Sequence, residues 1–270
     1  VDRPTTVATG VALFPARTPT LPPATHTNSY ALGERSVVLV EPATPYDEER
    51  VAWLAWARGL ASQGRVIEAI FVTHHHVDHV GGAAFLAREL DVPLWAHDET
   101  ASRMDAPVAR RLVEGDALVL DGPTPQRWDV MHTPGHAPGH LCLLERELGV
   151  VVVGDMVAST GTILVAPGEG DMRVYLDQLR RMATWGARVA LPAHGAPIEE
   201  PHRTFERYVA HRLMREGFVF DAVRAAGEHG ATLDELLPVA YADTPREVWP
   251  FARMSLEAHV DKLVQDGRVA

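Results

Sequence analysis

The feature that most constrains this chain is a series of apolar segments of strand length, each followed by histidine or aspartate beside a Pro or Gly turn. The segments span residues 67–73, 127–133, 150–154 and 189–191, and the polar residues that follow them are His74, His76, Asp78, His79, His136, Asp155 and His194. In α/β proteins, ligands commonly bind at the edge of the sheet where the carboxyl ends of the strands lie. We therefore expect these side chains to gather at one edge of a sheet.

The spacing of the first group predicts a metal site. His74 and His76 lie two residues apart at the end of an extended segment, so both side chains point the same way and can bind one ion. Asp78 and His79 can then reach a second ion, whereas His75 should point away. Imidazole and carboxylate are ligands that zinc prefers, although iron and manganese also accept them.

The order of the predicted elements favours an α/β (α+β) fold. Helical spacing over residues 47–62 lies between strands 37–41 and 67–73, and a helix at 83–90 precedes a strand at 93–96. Short strands at 118–120, 127–133, 140–145 and 150–154 predict an antiparallel meander, followed by a helix at 172–185 and a strand at 189–191. The Pro-rich residues 15–23 predict an extended loop.

The pattern becomes mainly helical after Pro201, with segments at 205–226, 232–241 and 248–265. We therefore expect a catalytic domain at 1–200 and a separate domain at 201–270. Thr232 and Glu235 have the capping-box spacing that begins a helix, and Asp266-Gly267 is a turn typical of a short hairpin.

Charge and composition exclude several classes. The chain has 25 basic and 36 acidic residues, so its net charge of -11 does not favour general attraction to nucleic acid or anionic lipid. No apolar run approaches the roughly 20 residues that span a membrane, and no uncleaved signal peptide is present, so we expect a cytoplasmic protein. The single cysteine, Cys142, excludes an internal disulfide framework and should be buried in a strand.

The sequence resembles the metallo-β-lactamase superfamily over roughly residues 7–200. Its signature HxHxDH is matched by His74, His76, Asp78 and His79, and the match continues in order with His136, Asp155 and His194. The resemblance implies an αββα sandwich with metals at one edge. It also implies that His74, His76 and His136 bind a first metal, that Asp78, His79 and His194 bind a second, and that Asp155 bridges them.

Within the superfamily, Asn28-Ser-Tyr30 and residues 73–82 and 133–140 resemble glyoxalase II. The C-terminal segment instead resembles the winged helix of the β-lactamase-like protein 2 group, which includes RNA-cleaving members and thioesterases that act on polyketide carrier proteins. Residues 201–270 carry nine basic and eleven acidic residues, which favours a packing lid or dimer element over an RNA contact. A bridging Asp155 argues against a true class B β-lactamase.

These resemblances imply a hydrolase with two divalent metal ions, zinc above all, that cleaves a thioester or related acyl ester. Asp78 would orient the activated water and take up its proton. Alternatives are a single-strand endoribonuclease, a lactonase or β-lactamase, and a non-hydrolytic iron protein. We expect a small-molecule or acyl-carrier substrate, a monomer or homodimer, and specificity set by loops 14–27 and 159–171, with His140 left open as a contact behind the ligands or to substrate.

Overall fold

The computed structural model describes residues 3–269. The strands are β1 (Thr5–Ala8), β2 (Val11–Arg17), β3 (His26–Leu32), β4 (Ser36–Val40), β5 (Val66–Phe71), β6 (Leu94–Ala96), β7 (Val108–Arg111), β8 (Ala117–Leu120), β9 (Gln126–His132), β10 (Leu141–Glu145), β11 (Val150–Gly154) and β12 (Val189–Pro192). The α-helices are α1 (Asp47–Ser62), α2 (Val77–Val80), α3 (Ala83–Leu90), α4 (Asp98–Ala101), α5 (Met172–Ala183), α6 (Pro201–Ala226), α7 (Leu233–Ala240) and α8 (Trp249–Gln265). Helices α1 and α3 have the bounds predicted from sequence.

The chain forms two compact units that alternate along the sequence. The first contains the described residues up to Thr133, then Gly139–Thr162 and Gly186–Pro201. The second contains Pro134–Pro138, Ile163–Trp185 and the described residues from His202 onward. The division into domains 1–200 and 201–270 stays a prediction.

Both sheets belong to the first unit. One has the strand order β1-β2-β3-β4-β5-β6-β7, with antiparallel pairs from β1 to β4 and parallel pairs from β4 to β7. The other has the order β12-β11-β10-β9-β8, in which β8 to β11 pair antiparallel and β12 pairs parallel to β11. The predicted meander is confirmed.

The core of this unit follows the two-residue period of its strands. Val38 and Val40 of β4 pack with Trp128 and other residues of the second sheet, whereas Val37 and Leu39 pack with Trp53 of α1. All four strand residues are fully buried. A strand buried on both faces is read from sequence as a continuous apolar run, which is what this segment shows. Cys142 is buried in β10, as predicted.

The predicted loop at residues 15–23 is wrong at its start, because Pro15 lies within β2 and is paired with Asn28 of β3. The pairing of β2 with β1 ends at Leu13, so Pro15 needs no backbone donor on that side. Proline is tolerated in a strand at such an edge position. The connecting loop therefore spans residues 18–25.

The second unit is helical and has its own core, which includes Val219, Leu236, Leu256 and Leu263. The predicted capping box is confirmed: Glu235 N donates to Thr232 Oγ1 at 3.3 Å, and Thr232 N donates to Glu235 Oε2 at 2.8 Å.

The hairpin predicted at Asp266-Gly267 is wrong for the described residues. Gly267 N donates to Val264 O and Arg268 N donates to Leu263 O, both at 2.9 Å, so this turn closes the end of α8. Gly267 has a φ of +66°, the left-handed conformation that commonly ends a helix. Residues 267–269 form no strand, and Ala270 lies outside the described residues.

Among the helices of residues 3–269, none combines the length and the apolar character needed to cross a lipid bilayer.

Candidate metal centre

Three strand ends of the first unit position most of the predicted ligands. His74 and His76 follow β5, and the short helix α2 carries Asp78 and His79. Asp155 follows β11, and His194 follows its parallel neighbour β12. The carboxyl ends of the neighbouring parallel strands β11 and β12 meet at one edge of their sheet, and the residues that follow β5, a strand of the other sheet, meet them there.

His74 and His76 form the first group of donors. Nε2 of His74 lies 2.9 Å from Nδ1 of His76, so one ion about 2.0 to 2.1 Å from each nitrogen could bind both. The opposite nitrogen of His74, Nδ1, is hydrogen-bonded to Thr73 Oγ1 at 3.0 Å. This second contact fixes the orientation of the ring, as partners of metal-binding histidines commonly do.

The second group is centred on Asp155, whose two carboxylate oxygens face different histidines. Oδ1 lies 3.2 Å from His194 Nε2, and Oδ2 lies 3.6 Å from His79 Nε2. Asp78 Oδ2 is 3.5 Å from the same His194 nitrogen and 3.9 Å from the same His79 nitrogen. Two carboxylates and two imidazoles therefore converge on one small volume.

Burial and charge oppose each other at these groups. Burial alone would lower the pKa of His79, but the carboxylates of Glu41, Asp155 and Asp78 outweigh it and raise that pKa well above its usual value.

The pKa values of Asp155 and His194 are shifted in opposite directions by their mutual contact. Burial alone would raise the pKa of Asp155, but His194 and His79 hold it well below its usual range. Burial alone would lower the pKa of His194, and Asp155 reverses that effect and raises it. The cluster therefore keeps Asp155 ionised and favours positive charge beside it.

The residues present fit a divalent cation. Nε2 of His79 is buried and makes no hydrogen bond, and the carboxylate oxygens of Asp155 and Asp78 lie 3.6 and 3.9 Å from it. A buried imidazole nitrogen normally has such a partner, so Nε2 indicates a missing one. Donor atoms of Asp78, His79 and His194 all lie within 4.8 Å of one another, and imidazole with carboxylate is a donor set that zinc and iron accept.

Glu41 is a further residue of this site that sequence reasoning missed. Its side chain is buried, and Oε1 accepts a hydrogen bond from Thr73 Oγ1 and lies 3.2 Å from His79 Nδ1. Its φ of +60° is uncommon for a residue other than glycine and is held by Ser29 Oγ, which donates to Glu41 O at 2.5 Å. Strained backbone of this kind clusters at functional sites. The only sequence signal was an acidic residue at the end of the predicted apolar strand 37–41.

His140 lies behind Asp155. Its Nδ1 is hydrogen-bonded to Thr133 Oγ1 at 2.8 Å, and its Nε2 accepts a hydrogen bond from Asp155 N at 3.2 Å. Gly154 makes this approach possible, because a Cβ there would lie 2.5 Å from His140 Nε2 and its φ is +47°. Of the two roles left open for His140, the structure supports the contact behind the ligands.

His136 belongs to the second unit and His75 to the first. His136 is buried, and its Nδ1 is hydrogen-bonded to Leu164 O at 2.8 Å. His75 is half-buried, and its ring centroid lies 5.1 Å from that of His76. Whether His136 is a ligand and His75 is not stays a prediction.

Comparison with known proteins identifies the two parts of the chain. The model of the metallo-beta-lactamase superfamily matches residues 22–194, and that of the beta-lactamase associated winged helix domain matches residues 232–270. The chain is 30% identical to the lactamase-like protein nscB of Trichophyton rubrum over 82% of this chain and 69% of that protein. It is 28% identical to the beta-lactamase-like protein 2 homolog of Drosophila melanogaster, over 90% and 84% of the two chains.

Solved structures agree. A metallo-beta-lactamase family protein from Thermus thermophilus matches with a TM-score of 0.77 and 26% identity, covering 96% of this chain and 94% of that one. A beta-lactamase domain protein from Burkholderia ambifaria matches with a TM-score of 0.82 and 25% identity over 98% and 90%. The predicted αββα fold with a winged-helix C-terminal part is confirmed, and this chain belongs to the metallo-beta-lactamase superfamily of metal-dependent hydrolases.

Proposed function

We propose that this chain hydrolyses the thioester of an acyl group with two zinc ions bound side by side. The observation that carries this proposal is that two groups of donors adjoin: the ring centroid of His74 lies 4.0 Å from that of His79, and Asp155 faces His79 and His194. Two adjoining groups of imidazoles, with carboxylates in one of them, are suited to hold two cations at a short distance.

The proposed ligands follow from the geometry and the motif order. Nε2 of His74 and Nδ1 of His76, which lie 2.9 Å apart, would bind the first ion, and the motif order assigns His136 to the same ion. Asp78, His79 and His194 bind the second ion. Asp155 binds both, and its backbone is fixed by His140.

When bound, the two cations supply a Lewis acid for the thioester carbonyl and lower the pKa of the attacking water toward neutrality. Asp78, whose side chain is 13% exposed and faces His194, would orient that water. It accepts the proton of that water as the new C–O bond forms. The C–S bond then breaks, and the proton passes to the leaving sulfur.

Relatives support a thioester as the substrate. The atrochrysone carboxyl ACP thioesterase of Aspergillus fumigatus is 28% identical to this chain over 82% of its length and 70% of that protein. By its name, that protein releases an acyl group from an acyl carrier protein. We propose a substrate of the same class here, either an acyl-carrier thioester or a small-molecule thioester.

A second candidate is cleavage of single-stranded RNA, favoured by the winged-helix match at residues 232–270. Such modules commonly contact nucleic acid through a basic face. Residues 201–270 carry nine basic and eleven acidic residues, so their charge opposes this alternative. Thioester hydrolysis is therefore the first proposal.

The experiment is a parallel assay of acyl-CoA, acyl-glutathione and acyl-carrier-protein thioesters and of unstructured RNA. We expect thioester cleavage by the wild type and its loss in His76→Ala. The matched control is His202→Ala, because the His202 side chain is 61% exposed and lies on α6. Thioester turnover equal in the wild type and His76→Ala would refute the proposal, and metal-dependent RNA cleavage without thioester cleavage would establish the alternative.

A further inference from the structure

A cavity of about 350 Å³ lies in the first unit beside His194. Its volume is at the lower end of the range typical of small-molecule sites. Its walls come from β2, from the end of the loop 18–25 and from the segment that follows His194. The apolar residues that line it are Leu13, Pro15, Pro23, Ala24, Ala196 and Pro197.

Two contacts join the loop wall of this cavity to the proposed metal ligand His194. Thr20 Oγ1 lies 3.5 Å from His194 Nε2, the same nitrogen that faces Asp155. His26 O accepts a hydrogen bond from His194 Nδ1 at 3.0 Å. The loop therefore extends from the metal-binding edge of His194 directly to the wall of the cavity.

The opposite wall is fixed just as firmly. Gly195 follows His194, and the Asn28 side-chain amide donates to Gly195 O at 2.7 Å and to Pro192 O at 2.9 Å. Gly195 has a φ of +88°, and a Cβ there would lie 2.2 Å from Ser159 Oγ, so the chain must turn closely at this point. These contacts hold the cavity open in one shape beside the metal centre.

The lining selects the chemistry of the occupant. None of the residues that line it is Asp, Glu, Lys or Arg. Two of its polar side chains already bind within the protein: the amide of Asn28 donates to backbone carbonyls, and Thr25 Oγ1 is hydrogen-bonded to His26 Nδ1 at 2.8 Å. A charged group would lose its hydration there without a charged partner, which costs free energy. An apolar group would instead gain free energy when it moves from water into the cavity.

We propose that this cavity holds the apolar acyl group of the substrate, which places the scissile carbonyl at His194 and sets the preference for acyl chain length. This inference rests on the proposed thioester hydrolysis. Because each buried methylene is worth about fourfold in an equilibrium or rate ratio, kcat/KM should rise by up to about fourfold per methylene until the cavity is full.

The test compares two bulky substitutions in the same loop. Ala24→Trp fills the cavity, because Ala24 lines it and is half-buried. Leu21→Trp is the matched control, because Leu21 is 44% exposed and does not line it. We measure kcat/KM for acetyl-, butyryl-, hexanoyl- and octanoyl-CoA, and the binding of N-octylacetamide, an uncharged mimic of the acyl group that is not a substrate thioester.

We expect Ala24→Trp to lower the ratio of kcat/KM for octanoyl-CoA to kcat/KM for acetyl-CoA at least about tenfold, and Leu21→Trp to leave that ratio at its wild-type value. Circular dichroism shows whether each variant is folded. An unchanged chain-length profile in Ala24→Trp would overturn the cavity assignment and leave thioester hydrolysis standing. If no thioester is hydrolysed, the proposed function fails, and the binding of N-octylacetamide then tests the cavity by itself. Binding that is lost only in Ala24→Trp supports an apolar ligand in the cavity. Equal binding in all three proteins, or binding in none, overturns the cavity assignment.

Discussion

The two units each contain a buried polar cluster, and the clusters differ in how their charges are balanced. In the second unit, the buried Glu216 carboxylate lies 2.6 Å from Arg268 and 2.8 Å from Lys262, and Lys262 also lies 2.7 Å from Asp266. Carboxylates and permanent cations alternate there. In the metal centre of the first unit, the ion pairs around Asp155 instead join carboxylates to histidines.

This difference separates a structural cluster from a chemical one. A buried carboxylate is stable when it is paired with a charged partner, and Glu216 has Lys262 and Arg268. Histidine supplies a positive charge only when it is protonated, so the cluster of Asp78, His79, Asp155 and His194 is balanced either by protons or by an external cation. The second unit therefore needs no ligand for charge balance, whereas the first unit has a place for one.

The largest expected effect follows from removing the carboxylate at the middle of the metal centre. Asp155→Ala should lose most of the second metal and at least about a hundredfold in kcat, because a bound cation contributes several kcal/mol of transition-state stabilisation. Elemental analysis, circular dichroism and thioester turnover measure the metal, the fold and the activity. Asp47→Ala is the control, since the Asp47 side chain is 93% exposed. Unchanged turnover in Asp155→Ala would refute the bridging role.

The opposite pattern is expected at the structural cluster. Glu216→Gln should lower the free energy of unfolding by about 3 kcal/mol, because it leaves Lys262, whose side chain is 11% exposed, without one of its two carboxylates. Urea unfolding measures this loss. The metal content per folded chain should stay at that of the wild type. Loss of metal in this variant would mean that the two clusters are not independent.

A smaller effect is expected at Glu41, which contacts the metal centre without being one of its proposed ligands. Glu41→Gln keeps an oxygen that can accept from Thr73 but removes the carboxylate charge beside His79 Nδ1. We expect the metal affinity to fall by about 10- to 100-fold, as is typical when a partner of a metal-binding histidine is changed. Competition with a chromophoric chelator measures it. An affinity equal to that of the wild type would remove Glu41 from the site.

The smallest effect concerns acid stability of the second unit. The hydrogen bond from Lys262, with a further one from Arg173, holds the pKa of Asp266 below its usual range. A carboxyl group with a lowered pKa in the folded state contributes stability that is present above its unfolded value of about 3.9 and is lost as the pH falls through its folded value.

Stability should therefore decline below about pH 4, and Asp266→Asn should make that decline shallower. Because this carboxyl group is close to solvent, we expect a change of less than about 1 kcal/mol. Thermal unfolding followed between pH 2 and pH 7 measures it. A steeper decline in the variant would contradict the sign of the lowered pKa.

The metal donors could be predicted because each follows a short apolar run that ends as a strand, and these strand ends of the two sheets meet in space. His74, His79, Asp155 and His194 illustrate this, since they come from three strand ends far apart in sequence and lie together in the structure. The α/β alternation was equally clear, because helices α1 and α3 carry regular apolar spacing between buried strands.

The parts that sequence did not predict depend on long-range packing. Glu41 looked like the end of a strand, and only its left-handed backbone and the approach of Thr73 turn its carboxylate toward His79. Pro15 was predicted to lie in a loop because proline cannot donate a backbone hydrogen bond. It lies in β2 because the pairing of β2 with β1 ends at Leu13, which only the structure shows. An Asp-Gly turn occurs both in hairpins and at the ends of helices, so the residues alone did not decide between them. In this structure the turn at Gly267 ends α8.

A dinuclear centre is tested by a calorimetric titration of metal-free protein with zinc, carried out in parallel on the wild type and Asp155→Ala. We expect two bound ions per chain for the wild type and one for the variant, because Asp155 faces His79 and His194 of the second position and the motif order assigns it to both ions. One ion in both proteins, or equal affinities for two ions in both, would contradict a dinuclear centre built around Asp155.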